Sequence, residues 1–288
     1  MDELQFTPSS LLKTRGFLHL GQILTGLLTF IVSGLWPQPL HTYWVYYMII
    51  WLLCPLITLV ITVVELFLIH IFILPFCMDW DDFTTGMAMM CALTTFACTV
   101  SFAVFYVCLT CVWGLVVSVL SALCCLLYCV EAVRDKMNPT RSASYVAAPP
   151  GFLKILEAFV SCIIFVSLTG YVNKPALQWC IVAYVIPFPI IPVIIVTNIM
   201  KKLKNCLPFS VDRFVVIFLI ISVALYTSAA ILWPAFSFHG NPRPLDCPGK
   251  TCIWNIQFIV AFMTYVNLIF FIVDLVCTLL GICGFKRP

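Results

Sequence analysis

Long apolar stretches alternate with short polar connections along this chain. A helix needs about 20 apolar residues to cross the hydrocarbon layer of a membrane. The positions of the polar connections therefore predict eight membrane-spanning helices. These are residues 16–35, 44–66, 83–107, 112–133, 152–171, 179–200, 213–236 and 253–283. The predicted fold class is an all-α, polytopic membrane protein.

The composition excludes most other classes of protein. Hydrophobic residues make up 63% of the 288 residues and charged residues only 9%, whereas soluble domains carry about 25% charged residues. A soluble enzyme, a disordered chain and a nucleic-acid-binding protein are therefore poor interpretations. The sequence contains no catalytic triad pattern, no phosphate-binding glycine loop and no histidines at ligand spacing. We expect a non-enzymatic protein with no cofactor and no metal.

The basic residues predict the orientation in the membrane. With a cytoplasmic amino terminus, 12 of the 15 Lys and Arg residues lie on the cytoplasmic side, and only Lys174, Arg243 and Lys250 lie outside. The positive-inside rule favours this orientation, in which both termini are cytoplasmic. Residues 1–10 are polar and lack a basic segment, so we expect no cleavable signal peptide.

Short matches in the same order indicate an internal repeat. Residues 16–19 read Gly-Phe-Leu-His and residues 151–154 read Gly-Phe-Leu-Lys, and Gln22 matches Glu157 at the same offset. Near the end of each half, Val-Glu-Ala-Val at 130–133 resembles Val-Asp-Leu-Val at 273–276. The repeat predicts two four-span halves that insert the same way up. The predicted limits are a cytoplasmic segment 1–15, a first domain 16–136, a cytoplasmic linker 137–150, a second domain 151–284 and a cytoplasmic end 285–288.

This arrangement resembles tandem MARVEL domains, and in particular the myeloid-associated differentiation marker family. The resemblance covers residues 16–284. It is carried by the opening of the second half at 149–157, the Val-Asp-Leu-Val segment, the Leu-Trp-Pro exit at 232–234 and the cysteine-containing outer loop that follows.

The resemblance implies a non-enzymatic organiser of membrane domains that acts in raft-like regions, vesicle traffic or cell contacts. The implied location is the plasma membrane and vesicles. The implied partners are membrane lipids, including cholesterol-rich domains, and other membrane proteins or further copies of the chain, with no nucleic acid.

Polar residues inside the predicted spans are the candidate functional residues, because they are costly in a membrane. Lys154 can pair with Glu157, and Arg134 with Glu131, since each pair is three residues apart on a helix. Interface anchoring with interhelical hydrogen bonding is favoured, and a proton or ion relay is the other interpretation. The candidates are Gln22, Glu65, Glu131, Glu157, Asn267 and Asp274.

Two further features leave alternatives open. Pro187, Pro189 and Pro192 in the sixth span, with Pro55 near the matching place in the second, predict kinked helices. Kinks at corresponding positions of two halves also occur in transporters, so a small-solute transporter or channel that uses the carboxylates is the alternative function. The first span carries small residues at steps of four, which favour either self-association or packing within the first half. These residues are Gly21, Thr25, Thr29 and Ser33.

Most of the 16 cysteines lie inside apolar spans, where they are typical small packing residues. Cys247 and Cys252 share the polar outer loop before the last span, which favours a disulfide in an oxidising environment. Reversible palmitoylation or a free thiol is expected for the cysteines near the cytoplasmic face. These are Cys77, Cys129, Cys206, Cys277 and Cys283.

Overall fold

The computed structural model describes residues 14–36, 42–67, 79–107, 111–138, 145–146, 148–172, 174–200, 210–245 and 252–283. These residues form helices and no strands. Eight helical stretches are long and apolar enough to cross a membrane, which confirms the predicted all-α class and the predicted spans. The helices are α1 (Thr14–Gly34), α2 (Thr42–Leu66), α3 (Trp80–Tyr106), α4 (Val112–Met137), α5 (Pro149–Ser167), α6 (Pro175–Val185), α7 (Pro187–Ile199), α8 (Val211–Phe238) and α9 (Ile253–Cys283).

The chain divides into two compact units, Met1–Ala147 and Ala148–Pro288. In the first unit, α1 packs against α2 and α4, and α3 packs against the same two helices. In the second unit, α6 and α7 together form one span. There α5 packs against α7 and α9, and α8 packs against α6 and α9. Each unit is therefore a bundle of four spans with the same order of neighbours. The finer domain limits given above stay a prediction.

Aromatic side chains fill the interior of both bundles. In the first, the ring of Phe102 lies 5.3 Å from that of Trp51 and stacks on Tyr106 at 5.1 Å. In the second, the rings of Tyr226 and Phe271 are 4.9 Å apart. Large rings give extensive dispersion contact, which matters here because apolar burial alone does not drive helices together in lipid.

The small residues of α1 face the inside of their own bundle. Thr29 and Ser33 are fully buried, and their hydroxyls donate to the carbonyls four residues earlier, which satisfies them within the helix. A Cβ atom on Gly21 would lie 3.1 Å from the Leu127 side chain of α4. The opposite side of α1 exposes large apolar side chains such as Phe17 and Leu24. Of the two interpretations of this ridge, the contacts support packing within the first half.

The prolines interrupt only the sixth span. Pro187 begins α7, where its missing N–H is tolerated. Ile186 keeps helical angles of φ −62° and ψ −50°, so the interruption is a kink and not a loop. Pro55 lies inside an uninterrupted α2. The two halves therefore do not share a broken helix at corresponding positions.

Candidate functional site

Three charged side chains lie together in the interior of the second bundle. Lys154 and Glu157 of α5 and Asp274 of α9 are each exposed by 1% or less. The Lys154 Nζ atom lies 2.8 Å from Glu157 Oε2 and 2.5 Å from Asp274 Oδ2. These three residues are called the second-half cluster. Its ammonium group holds α5 and α9 together.

Aromatic rings and a hydroxyl surround this cluster. The Lys154 Nζ atom lies 5.3 Å from the centre of the Phe218 ring and 5.9 Å from that of Phe271, within the range of cation–π attraction. Thr278 donates to Asp274 Oδ1 at 3.4 Å. Glu157 Oε1 is buried without a hydrogen bond among the described residues. One ammonium therefore contacts two carboxylates in a largely apolar environment.

The first bundle contains a larger set of charges that spans three helices. Arg15 of α1 lies 3.0 Å from Glu65 of α2. The same guanidinium lies 3.5 Å from Glu131 and 3.8 Å from Asp135, both on α4. Since Glu131 and Asp135 are buried, Arg15 compensates charge that water does not reach.

His19 and Gln22 complete what is called the first-half cluster: Arg15, His19, Gln22, Thr62, Glu65, Glu131 and Asp135. His19 Nε2 lies 2.7 Å from Glu131 Oε1, and Gln22 Nε2 donates to Glu131 Oε2 at 2.7 Å. The other ring nitrogen of His19 lies 3.1 Å from the hydroxyl of Thr62 on α2. Both carboxylate oxygens of Glu131 therefore have partners on α1.

The repeat places the two clusters at equivalent positions. His19 corresponds to Lys154 and Gln22 to Glu157, both 135 residues apart, and Glu131 corresponds to Asp274. In each half, the first span carries a basic side chain that contacts an acid on the last span. The short sequence matches thus mark the residues that join the first and last spans of each half.

Of the two ion pairs predicted within a helix, one is present and one is wrong. Lys154 pairs with Glu157 as expected. Arg134 is exposed and makes no ion pair with Glu131, because Glu131 points into the bundle, where Arg15, His19 and Gln22 bind it.

The remaining intramembrane candidates lie on inward faces of their helices. Asn267 is fully buried and donates to Ser161 of α5 at 3.1 Å. It thereby adds a second link between α5 and α9. Glu65, near the end of α2, also accepts from the indole of Trp80 at 3.3 Å.

Sequence analysis missed Arg15, His19 and Asp135 as members of the site. Arg15 contributed only to the predicted orientation, and His19 only to the repeat match at residues 16–19. A signal was available, because residues 15, 19 and 22 are spaced by four and three and so lie on one helix face. Two of these positions also match Lys154 and Glu157 in the repeat.

The candidate cysteines divide into described and undescribed positions. Cys252 is buried directly before α9, whereas Cys247 lies outside the described residues, so their disulfide stays a prediction. Cys77 and Cys206 also lie outside, as does the side chain of Cys283. Cys129 is half-buried with its sulfur 4.0 Å from that of Cys125, and Cys277 is exposed on α9.

In the part of the chain described, no group of three or more His, Cys, Asp or Glu could hold a metal ion.

The eight apolar spans, with polar groups turned inward, define an all-α polytopic membrane protein. The chain is 32% identical over 279 residues to myeloid-associated differentiation marker-like protein 2 of Xenopus laevis, with 91% of each chain covered. It is 37% identical over 216 residues to the protein of that name from Rattus norvegicus, covering 69% of this chain and 70% of the relative. Identity to the myeloid-associated differentiation marker of Homo sapiens is 28% over 292 residues, 94% of this chain and 88% of the relative. The chain belongs to the myeloid-associated differentiation marker family.

No family model matches the chain, so the resemblance to MARVEL domains stays a prediction. No solved structure matches it either.

Proposed function

We propose that the chain is a non-enzymatic membrane protein that organises membrane domains such as raft-like regions, at sites of vesicle traffic or cell contact. Its proposed location is the plasma membrane and vesicles, with both termini cytoplasmic. Its proposed partners are lipids of cholesterol-rich domains and other membrane proteins or further copies of the chain.

The observation that carries the proposal is that the charged side chains contact one another inside the bundles. The ionic side chains within each bundle contact one another and join its helices. The outer faces present large apolar side chains, such as Leu24 on α1, Val119 on α4 and Ile269 on α9. Such bundles suit lateral packing with lipids and neighbouring helices.

The kink in the sixth span favours the rival function, a small-solute transporter or channel. A transport site at this kink would need the carboxylates nearby. Tyr184, at the end of α6, instead bonds to Thr264 at 2.8 Å. Thr264 precedes Asp274 by ten residues on α9, which is about 15 Å along a helix. The kink and the ionic cluster therefore lie at different levels of the bundle, which supports a packing role for both.

Reconstitution into giant vesicles that separate into cholesterol-rich and fluid phases tests the proposal. Fluorescently labelled full-length protein should concentrate in the cholesterol-rich phase or move the temperature at which the phases separate. The same preparation in small liposomes should show no saturable flux across a panel of ions and metabolites. Saturable flux that is abolished by Glu157→Gln or Asp274→Asn would establish the rival function and overturn the proposal.

A further inference from the structure

The polar contacts of His19 indicate which of its ring nitrogens carry hydrogens. Thr62 has a single hydroxyl hydrogen, and this hydroxyl lies 2.7 Å from the carbonyl oxygen of Thr58. A carbonyl only accepts, so the hydroxyl hydrogen is directed at Thr58. If it were directed at His19 instead, two oxygen lone pairs would face each other at that distance. The hydroxyl oxygen is therefore the acceptor for His19 Nδ1, at 3.1 Å, and Nδ1 carries a hydrogen.

The second ring nitrogen also faces an acceptor. His19 Nε2 lies 2.7 Å from Glu131 Oε1. Gln22 donates to the other oxygen of this carboxylate at 2.7 Å, and Arg15 lies 3.5 Å from the first. The Gln22 hydrogen bond and the positive charge of Arg15 suit a carboxylate at Glu131, which accepts only. His19 Nε2 therefore also carries a hydrogen.

We propose that His19 is doubly protonated in the folded protein, so that the first half binds a proton at the position where the second half holds Lys154. A positive charge at this position then joins the first and last spans of both bundles. In the second half the charge comes from an ammonium group, whereas in the first half it depends on an imidazole. Imidazole is the side chain that changes charge near neutral pH.

The charged and titratable groups around His19 agree with this assignment. Glu131 of α4 contacts His19 directly, and Arg15 of α1, beside the same carboxylate, links it to Glu65 of α2 and Asp135 of α4. A small cavity beside His19 is also lined by Cys91 of α3 and Tyr128 of α4. Among the described contacts, the Arg15 guanidinium lies beside three carboxylates, so a cationic His19 adds positive charge next to Glu131.

Loss of the proton has a direct mechanical consequence. One ring nitrogen would then present a lone pair. At Nε2 this lone pair would face the Glu131 carboxylate, which only accepts, and at Nδ1 the contact with α2 would be kept only if the Thr62 hydroxyl turned its hydrogen from Thr58 toward His19. Without this proton the first half therefore has a weaker link between its helices and is less stable.

Nuclear magnetic resonance of full-length protein labelled with ¹⁵N-histidine tests the assignment. Replacing the other three histidines, His41, His70 and His239, with Gln leaves His19 as the only labelled residue. Both of its ring nitrogens should show the imidazolium signature at neutral pH, and one should change at higher pH. A neutral ring with a single protonated nitrogen at neutral pH would overturn the proposal.

Thermal unfolding across a pH series tests the consequence. The unfolding temperature of the wild type should fall by a few degrees from mildly acidic to mildly alkaline pH. The variant His19→Lys copies the second half and should not show this fall, while His19→Gln should have a low unfolding temperature throughout. Identical pH profiles for the wild type and His19→Lys would contradict a role for the His19 proton. If His19→Lys does not fold, the resonance experiment decides alone.

Discussion

Lys154 brings one positive charge into a bundle interior that also holds Glu157 and Asp274. Removing ions from water costs several kcal/mol each, and good geometry is needed to offset that cost. Lys154 touches both carboxylates, so its single positive charge attracts both of them. Its removal leaves both carboxylates unpaired, whereas removal of one carboxylate leaves an ion pair.

We therefore expect very different effects from two substitutions in this cluster. Lys154→Met should lower the free energy of unfolding by about 3–5 kcal/mol, the typical cost of leaving a buried charge without its partner. Glu157→Gln should cost far less, because Lys154 keeps Asp274 and the first half already has Gln22 at this position. Denaturant unfolding of the two purified variants in the same detergent measures both effects. Equal losses would contradict the account of the cluster.

Sequence patterns located every acid of the two clusters except Asp135, but only part of their partners. Glu131, Glu157 and Asp274 stand out because charged residues are rare in apolar spans. Local spacing predicts partners on the same helix, which succeeded for Lys154 and failed for Arg134. The partners of Glu131 are more than 100 residues away, on α1. Such contacts depend on which helices are neighbours, which hydropathy does not reveal.

At the scale of the helix, α1 packs closely against α2 where Gly26 faces Pro55. A Cβ atom on Gly26 would lie 2.9 Å from Pro55 Cγ, on a ring that cannot rotate away. Gly26 and Pro55 therefore fit together as a small residue against a bulky one. Pro55, which sequence analysis associated with a kink, has a packing role in an uninterrupted helix.

Alanine at Gly26 should push these two helices apart. We expect Gly26→Ala to lower the free energy of unfolding by about 1–3 kcal/mol, the usual cost of overpacking. Gly281 of α9 is the matched control, because nothing lies within 4 Å of a Cβ atom built there. Gly281→Ala should be neutral, or stabilising by up to about 1 kcal/mol from helix propensity alone. Equal unfolding temperatures for Gly26→Ala and Gly281→Ala would contradict the close packing of α1 against α2.

The positions of the helices were largely predictable, because uninterrupted apolar length is a strong signal. Predicted and observed spans differ mainly at their ends. The fourth helix runs on to Met137, where Asp135 turns back to Arg15. The fifth helix ends at Ser167 and not near residue 171, and Gly170 adopts a positive φ of 71° just beyond. Hydropathy does not register either event, since one accompanies a distant ion pair and the other an extended backbone at Leu168.

At the scale of the whole molecule, the repeat and the two compact units agree. Each unit has four spans with the same order of neighbours, and each joins its first and last spans by buried charges. An even number of spans returns the chain to the side of the membrane on which it started. The amino terminus, the linker and the carboxyl terminus should therefore share one side, and the basic residues favour the cytoplasmic one.

Epitope tags at the amino terminus, between residues 139 and 144, and at the carboxyl terminus test most directly whether two four-span halves insert the same way up. Each tag is placed alone in the full-length chain, and antibody binding is measured in intact and in permeabilised cells. We expect all three tags to be stained only after permeabilisation. Staining of any one of them in intact cells would contradict two even-numbered halves with a cytoplasmic linker and cytoplasmic ends.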